Sequence, residues 1–245
     1  MTVITFLTDF GLEDDFVGTC HGVMKRIAPE VEIIDITHGI QPQGILQGSL
    51  VLANTLPYLP EGVHLAVVDP DVGARRRAVA LRCDEDDRVL VGPDNGVLVP
   101  AAERFGGVVE AVEISHSPWR LEPVSATFHG RDVFGPVAAH LALGELPDGP
   151  RMNGDELVRL PALPVDKVNV VEVDGFGNLI TDAALPSSAV RIAGHEVAVG
   201  RTFGDVPPGG LVIYEDSAGD VAVAVNGGSA AALLGVSAGD ELELS

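Results

Sequence analysis

Three short polar clusters concentrate the residue types that can do chemistry: DPDVGARR (Asp69 to Arg76), TFHGRD (Thr127 to Asp132) and DGFGN (Asp174 to Asn178). Each sets charged or hydrogen-bonding side chains among glycines, which let a backbone turn with positive φ or approach a ligand closely. The first two follow apolar runs that read as strand ends. An Asp, an Arg and a His in such places can orient a nucleophile and hold developing charge. A structural role is open for each. Asp69 and one of the three adjacent arginines, Arg75 to Arg77, could simply brace a loop. His129 could be a structural histidine at a helix start, with Arg131 and Asp132 as a local ion pair and cap. Asp9, after the run Val3–Thr8, could cap a turn or accept two hydroxyls from a ribose. Glu13, Asp14 and Asp15 read as a solvated helix N-terminus favoured by the helix dipole. GPDNG (Gly92 to Gly96) reads as a tight turn, and Ser217 lies in a turn from which it could reach a ligand.

The elements that must position these clusters alternate in type up to Pro147. Strand signals fall at Val3–Thr8, Val31–Ile36, Val63–Val68 and Val108–Ile114, with a hairpin of Ala78–Cys83 and Arg88–Val91 around the acidic turn Asp84–Asp87. Helical periodicity falls from Phe16 to Ile27, capped by Asp14 or Asp15, and over Ile45–Leu56, Val97–Phe105 and Asp132–Leu143. This alternation predicts a mostly parallel sheet covered by helices, with ligands at the carboxyl ends of strands. Pro150, Pro161 and Pro164 suggest a linker. Short β-rich runs follow, Lys167–Val173, Val190–Ile192, Glu196–Val199, Leu211–Tyr214, Val221–Val225 and Glu241–Leu244, separated by Gly-rich turns. They predict a small barrel or sandwich.

Composition narrows the function class. The net charge of −21 argues against a nucleic-acid surface. No apolar run reaches the ~18 residues of a membrane span. The N-terminus reads as a first strand, not a signal peptide. Cys20 and Cys83 sit in apolar segments without metal-ligand spacing, which suits free thiols in a reducing cytoplasm. No GxGxxG, P-loop, GxSxG or zinc spacing is present.

Taken in order, TDFG (Thr8 to Gly11), DPDVGARR, GPDNG, TFHGRD, DGFGN and NGGSAAALLG (Asn226 to Gly235) resemble the S-adenosylmethionine (SAM) hydroxide adenosyltransferases, relatives of SAM-dependent fluorinating and chlorinating enzymes. The resemblance covers essentially the whole chain. It implies an N-terminal Rossmann-like α/β/α sandwich with a mainly parallel sheet over residues 1–160, and a small C-terminal β-barrel over 165–245. It implies a homotrimer with inter-subunit active sites, and hydrolysis of SAM to adenosine and L-methionine without metal or organic cofactor. A sulfonium cation suits an acidic protein. The family's catalytic trio maps onto Asp69, Arg76 and His129. The halogenating branch has Tyr and Thr in place of the first two and Tyr-Ser in place of His129-Gly130, so the hydrolytic branch is the expectation. For substrate binding, Asp9 matches the ribose-hydroxyl acceptor. Asp174 and Asn178 match the methionine-amine site, with Phe176 packing beside the ligand. Ser217 matches a carboxylate contact and Gly227 the adenine edge. Phe10, Asp94, Asn95 and Gly130 complete the expected set. Three departures are Asp71 for Gly, Ala218 for Arg and Gln43 for Trp. Competing readings are a halogenase, a non-catalytic adenosine or SAM binder, and a divalent-metal hydrolase built from Asp9, Asp14, Asp94 and His129.

Overall fold

The computed structural model describes residues 3–161 and 168–243. The chain divides into two compact units, Met1–Leu160 and Pro161–Ser245. In the first, seven strands form one sheet: β1 (Val3–Thr8), β2 (Glu32–Thr37), β3 (Val63–Val67), β4 (Ala78–Cys83), β5 (Val89–Pro93), β6 (Val108–Glu113) and β7 (Arg151–Met152). Four main helices, α1 (Phe16–Ile27), α2 (Ile45–Thr55), α3 (Val99–Glu103) and α4 (Gly135–Ala142), cover it. Alternation along the strands explains the three layers, because successive side chains leave a strand on opposite faces. Val63, Leu65 and Val67 join Val17, Cys20 and Met24 of α1 and Val137 and Ala138 of α4 in one apolar cluster. Ala66 turns the other way and joins Leu52 and Ala53 of α2 and Val99 of α3 in the second. Burial on both faces is why β3 reads as an unbroken apolar run.

The sheet order is β2-β1-β3-β5-β4-β6-β7. β2, β1, β3 and β5 run parallel, while β4, β6 and β7 add antiparallel. The expectation of a mainly parallel, Rossmann-like sheet is therefore corrected to a mixed one. The cause is the short acidic turn between β4 and β5, too brief for the crossover that parallel neighbours need. The helix expected from Asp132 to Leu143 also differs. It opens with a π-helical turn, Gly130–Phe134, and becomes α-helical only from Gly135. Pro136 has no amide to donate to an earlier carbonyl, and the Gly135 amide reaches back to Gly130 O. Asp15 stands at the N-cap of α1, but its carboxylate accepts from Thr19 Oγ1 at 3.2 Å instead of capping an amide.

The second unit is a seven-stranded sheet of β8 (Val168–Val173), β9 (Leu179–Thr181), β10 (Val190–Ile192), β11 (His195–Val199), β12 (Leu211–Glu215), β13 (Val221–Val225) and β14 (Glu241–Leu242), with one short helix, α5 (Ala230–Leu234). Its order is β10-β11-β12-β13-β9-β8-β14. It is nearly barrel-shaped, but the edge strands β10 and β14 do not pair with each other among the described residues. Inward residues such as Val170, Leu179, Val197, Ile213 and Val223 fill its core. Lys167, Pro164 and Leu244, which the sequence placed in strands and the linker, lie outside the described residues. No helix among the described residues is long and apolar enough to cross a membrane.

Candidate active site

Asp69 follows the carboxyl end of β3, Arg76 precedes β4, and His129 enters the π turn ahead of α4. Gly73 joins the two loops that carry them. Its φ is +78°, and a Cβ there would lie 2.2 Å from Ala126 O, so only glycine allows the first loop to rest on the segment leading to His129. Arg76 Nε donates to Asp69 Oδ1 and Oδ2 at 2.8 and 3.0 Å, and Nη2 bonds Oδ2 as well. Nη2 also donates to His129 Nδ1 at 2.8 Å. The guanidinium lies over the Phe134 ring, 5.0 Å from its centroid. The Asp69 and Arg76 side chains are only 5% and 8% exposed, so their charges meet with little solvent between them.

This arrangement fixes the state of His129. A guanidinium only donates, so Nδ1 accepts and the neutral ring carries its proton on Nε2. Burial, then the neighbouring Arg76 charge, lower the pKa of His129. The ring is therefore held neutral with its one N–H on Nε2, although the Asp69 charge and a hydrogen bond to the Ser125 backbone pull the pKa the other way. A cavity of about 320 Å³, lined in part by Arg75, Arg120 and Glu113, opens against Arg76 and His129.

Asp9 Oδ2 accepts the Gln43 amide at 3.0 Å, with Gln43 in the left-handed region at φ +68°. Burial raises the pKa of Asp9, and the nearby Asp69 charge adds to it. Beside it the Phe10 ring meets Phe16 and Phe128 edge-on, both at 6.0 Å. Gly130 lies under Phe10, where a Cβ would sit 3.0 Å from the ring. Asp94 and Asn95 are engaged in structural contacts. Asp94 Oδ2 accepts from Arg77 Nε at 2.8 Å, and Oδ1 accepts the Val158 amide at 2.9 Å. Asn95 donates to Val68 O at 2.8 Å and accepts the Val97 amide at 3.2 Å.

The second unit brings Asp174, Phe176, Asn178, Ser217 and Gly227 to one pocket of about 870 Å³. Asp174 Oδ1 accepts the amides of Phe176 and Asn178 at 2.8 and 2.9 Å, and Oδ2 accepts Asn178 Nδ2 at 2.7 Å. Gly177 makes this turn possible at φ +81°, and a Cβ there would strike Ser229 Oγ at 2.1 Å. The Phe176 ring is 83% exposed, an apolar face with nothing of its own unit to cover it. Among the described residues, Asp174 and Asp216 are the only charged ones lining the pocket, a field that suits a cation.

Residues 4–149 match the SAM hydroxide adenosyltransferase N-terminal domain and residues 168–243 the C-terminal domain of the same name. The chain belongs to the SAM hydroxide adenosyltransferase family. Among its relatives, the (R)-S-adenosyl-L-methionine hydrolase of Salinispora arenicola is 51% identical over 99% of this chain and 97% of its own length. A fluorinase of Nocardia brasiliensis is more distant, 28% identical over 99% of this chain and 96% of its own. A crystal structure of an uncharacterized conserved protein from Thermotoga maritima superposes with a TM-score of 0.87 at 39% identity, covering 99% of this chain and all of that one.

In this member of the family, sequence reasoning left out Phe134, which backs Arg76, and Tyr214, Phe203 and Asp216, which line the second pocket. Burial, followed by the charges of Asp174 and Asp216, raises the Tyr214 pKa. Asp216 carried a signal in the EDSAGD turn, where its Oδ1 accepts the amides of Ala218 and Asp220 at 2.8 and 3.0 Å. Phe134 carried none, since it reads as one more apolar residue of a helix. Asp9, Asp14, Asp94 and His129 are not gathered as a metal-ligand set. Among the described residues the one such group is His21, Asp35 and His38.

Proposed function

We propose that this chain hydrolyses SAM, with Asp69, Arg76 and His129 preparing the water. The observation that carries the reading is the bridge made by Arg76, which binds Asp69 on one side and His129 Nδ1 on the other. A water oxygen attacks the 5′ carbon, the C5′–S bond breaks with its electron pair passing to sulfur, and adenosine, L-methionine and one proton result. The sulfonium needs no general acid. It needs an aligned oxygen in a dry pocket. His129 donates Nε2–H to that oxygen and directs a lone pair at C5′. Asp69, the carboxylate of the trio, takes the water proton. Arg76 keeps both partners in place, a positioning role.

Asp9 accepts the ribose hydroxyls, and Phe10 packs near the sugar with Gly130 beneath it. Asp174 and Asn178 receive the methionine ammonium, with Phe176 over the ligand, Ser217 near the carboxylate and Gly227 at the adenine edge. Asp94 and Asn95 act on the substrate only by bracing their loop. The working form is a cytoplasmic homotrimer with sites shared between subunits, which would give the exposed Phe176 a cover. The relatives' name specifies the (R) epimer at sulfur, and that epimer is the proposed substrate here.

The test is incubation of the purified protein with each sulfonium epimer in ¹⁸O water, with and without EDTA and chloride, followed by mass spectrometry. Labelled adenosine and methionine, insensitive to EDTA, are expected from the (R) form. A chlorinated nucleoside identifies a halogenase, and intact substrate a binder. Either outcome overturns the reading.

A further inference from the structure

Three ligand-bearing side chains that the reaction does not use converge where α1 meets β2. His21 stands on α1, Asp35 on β2, and His38 just past the end of β2. His21 Nε2 lies 2.8 Å from Asp35 Oδ1, and His38 Nε2 lies 3.1 Å from the same atom. All three ligand atoms fall within 4.8 Å of one another. Donors that share a zinc ion at bonds of ~2.0–2.2 Å stand roughly 3–3.5 Å apart, near the spacing of Asp35 Oδ1 from each imidazole nitrogen. Phe6 packs against both imidazoles, at centroid distances of 5.8 and 4.9 Å, and fixes their orientation.

His38 supplies the independent observation. Its side chain is only 2% exposed, yet Nε2 is buried with no hydrogen-bond partner. Its approach to Asp35 Oδ1 is an ion-pair contact. The other ring nitrogen is committed, 2.8 Å from Thr8 Oγ1, which also accepts the Phe10 amide at 3.1 Å. An orphaned buried polar atom is costly to leave unmet. In the tautomer that carries its proton on Nδ1 and donates it to Thr8 Oγ1, Nε2 turns a lone pair toward the Asp35 carboxylate, and a metal ion between them satisfies both.

We propose that His21, Asp35 and His38 form a site for a divalent first-row transition metal, with zinc the best match to two imidazoles and one carboxylate. Water completes the coordination on the open side, where Asp35 is 42% and His21 31% exposed. The ion has a structural role. It ties α1 to β2, and through His38 it steadies the Asp9 loop, because His38 O accepts the Gly11 amide at 2.8 Å and Thr8 meets the His38 ring. This inference does not depend on the proposed reaction.

The test uses tag-free full-length protein stripped with chelator, titrated with Zn²⁺ by calorimetry and with Co²⁺ by visible absorption. The expected result is one saturable equivalent, cobalt bands of a nitrogen-ligated ion, and a thermal midpoint that rises with zinc. His21→Ala and Asp35→Asn, both at solvent-accessible positions, should each weaken binding at least about tenfold, the lower end of what losing even a supporting group costs a metal site. Both should also lose the zinc-dependent rise in midpoint while keeping a folded circular-dichroism spectrum. Absence of stoichiometric binding overturns the proposal. So does equal binding by wild type and both variants, which would place the ion elsewhere.

Discussion

Arg76 Nη2 lies 2.8 Å from His129 Nδ1 while the same guanidinium grips Asp69, so one side chain sets the tautomer of the histidine and the position of the carboxylate. A lysine cannot make both contacts, since its point charge lacks the planar fork. On the proposed mechanism, Arg76→Lys should lower the rate of adenosine release by roughly 10²–10⁴-fold, the usual worth of positioned acid–base help. Substrate affinity should move little. Single-turnover kinetics beside equilibrium binding separates the two, and an unchanged rate removes Arg76 from the machinery.

The same contact predicts a pH profile. Burial and Arg76 lower the His129 pKa from its ordinary 6.5, so the ring stays neutral at neutral pH. Protonation at Nδ1 would oppose the guanidinium and break the bridge. Activity should therefore hold above pH 6.5 and fall only as pH drops through the lowered value. Asp9, whose pKa is raised, also gains a proton on the acid side, so kcat/KM should be measured in Asp9→Asn as well. An acid limb at or above 6.5 in that variant contradicts the assignment.

Gly73 offers a test that touches no reacting group. Alanine at φ +78° with its Cβ 2.2 Å from Ala126 O must push two loops apart. Overpacking of this kind costs about 1–3 kcal/mol. Gly73→Ala should lower the unfolding free energy read from urea titration by that order and slow turnover, because Asp69 and Arg76 shift against His129. Full activity with a lowered midpoint would show that the trio does not depend on this seat.

Asp174 makes the corresponding prediction for the C-terminal unit. If its carboxylate receives the methionine ammonium, Asp174→Asn removes a charged hydrogen bond worth about 1.5–3 kcal/mol. Affinity for methionine should fall roughly 10–100-fold, while affinity for adenosine should stay within a few fold. Calorimetry with each product decides it. Equal losses for both ligands would mean that the substitution only unseats the DGFGN turn.

How much of this was legible in the sequence depended on how local each cause is. The acidic turn before β5 announced a hairpin, and the apolar run before Asp69 announced a strand end. That hairpin already made one pair antiparallel; what stayed hidden was how β6 and β7 add beyond it, because a strand buried on both faces looks the same whichever way its neighbour runs. β7, of two residues, and β9, of three, are too short to show alternation. The π turn was hidden too, since Asp132 to Leu143 keeps a helical pattern and only the missing amide of Pro136 shifts the bonding. Adjacency left open which arginine faces Asp69. The structure sends Arg76 to Asp69 and Arg77 to Asp94, and that second pair is why Asp94, read as a substrate contact, is occupied. Clustering of Asp174, Asn178 and Ser217 depended on long-range pairing of β9 with β13, which no local pattern encodes.

The stability of the first unit should carry the signature of His64, a fully buried histidine on β3. Arg88 Nη1 donates to His64 Nε2 at 3.1 Å, and Nδ1 donates to Thr5 Oγ1 at 2.9 Å. Nδ1 already holds its proton, and protonating Nε2 would lose the hydrogen bond from Arg88. Burial, with the Arg88 charge adding to it, pushes the pKa down from 6.5 to about 3. Because the folded value is the lower one, the unfolded chain binds the proton first. The stabilisation is complete above pH 6.5 and is lost progressively as pH falls from 6.5 towards 3. Between pH 7 and pH 5 this one group should cost about 2 kcal/mol. His64→Gln, which can accept from Arg88 and donate to Thr5, lacks that titration. Urea unfolding at pH 7 and pH 5 should show wild type losing about 2 kcal/mol more than the variant, and parallel losses would mean that His64 is already charged in the fold.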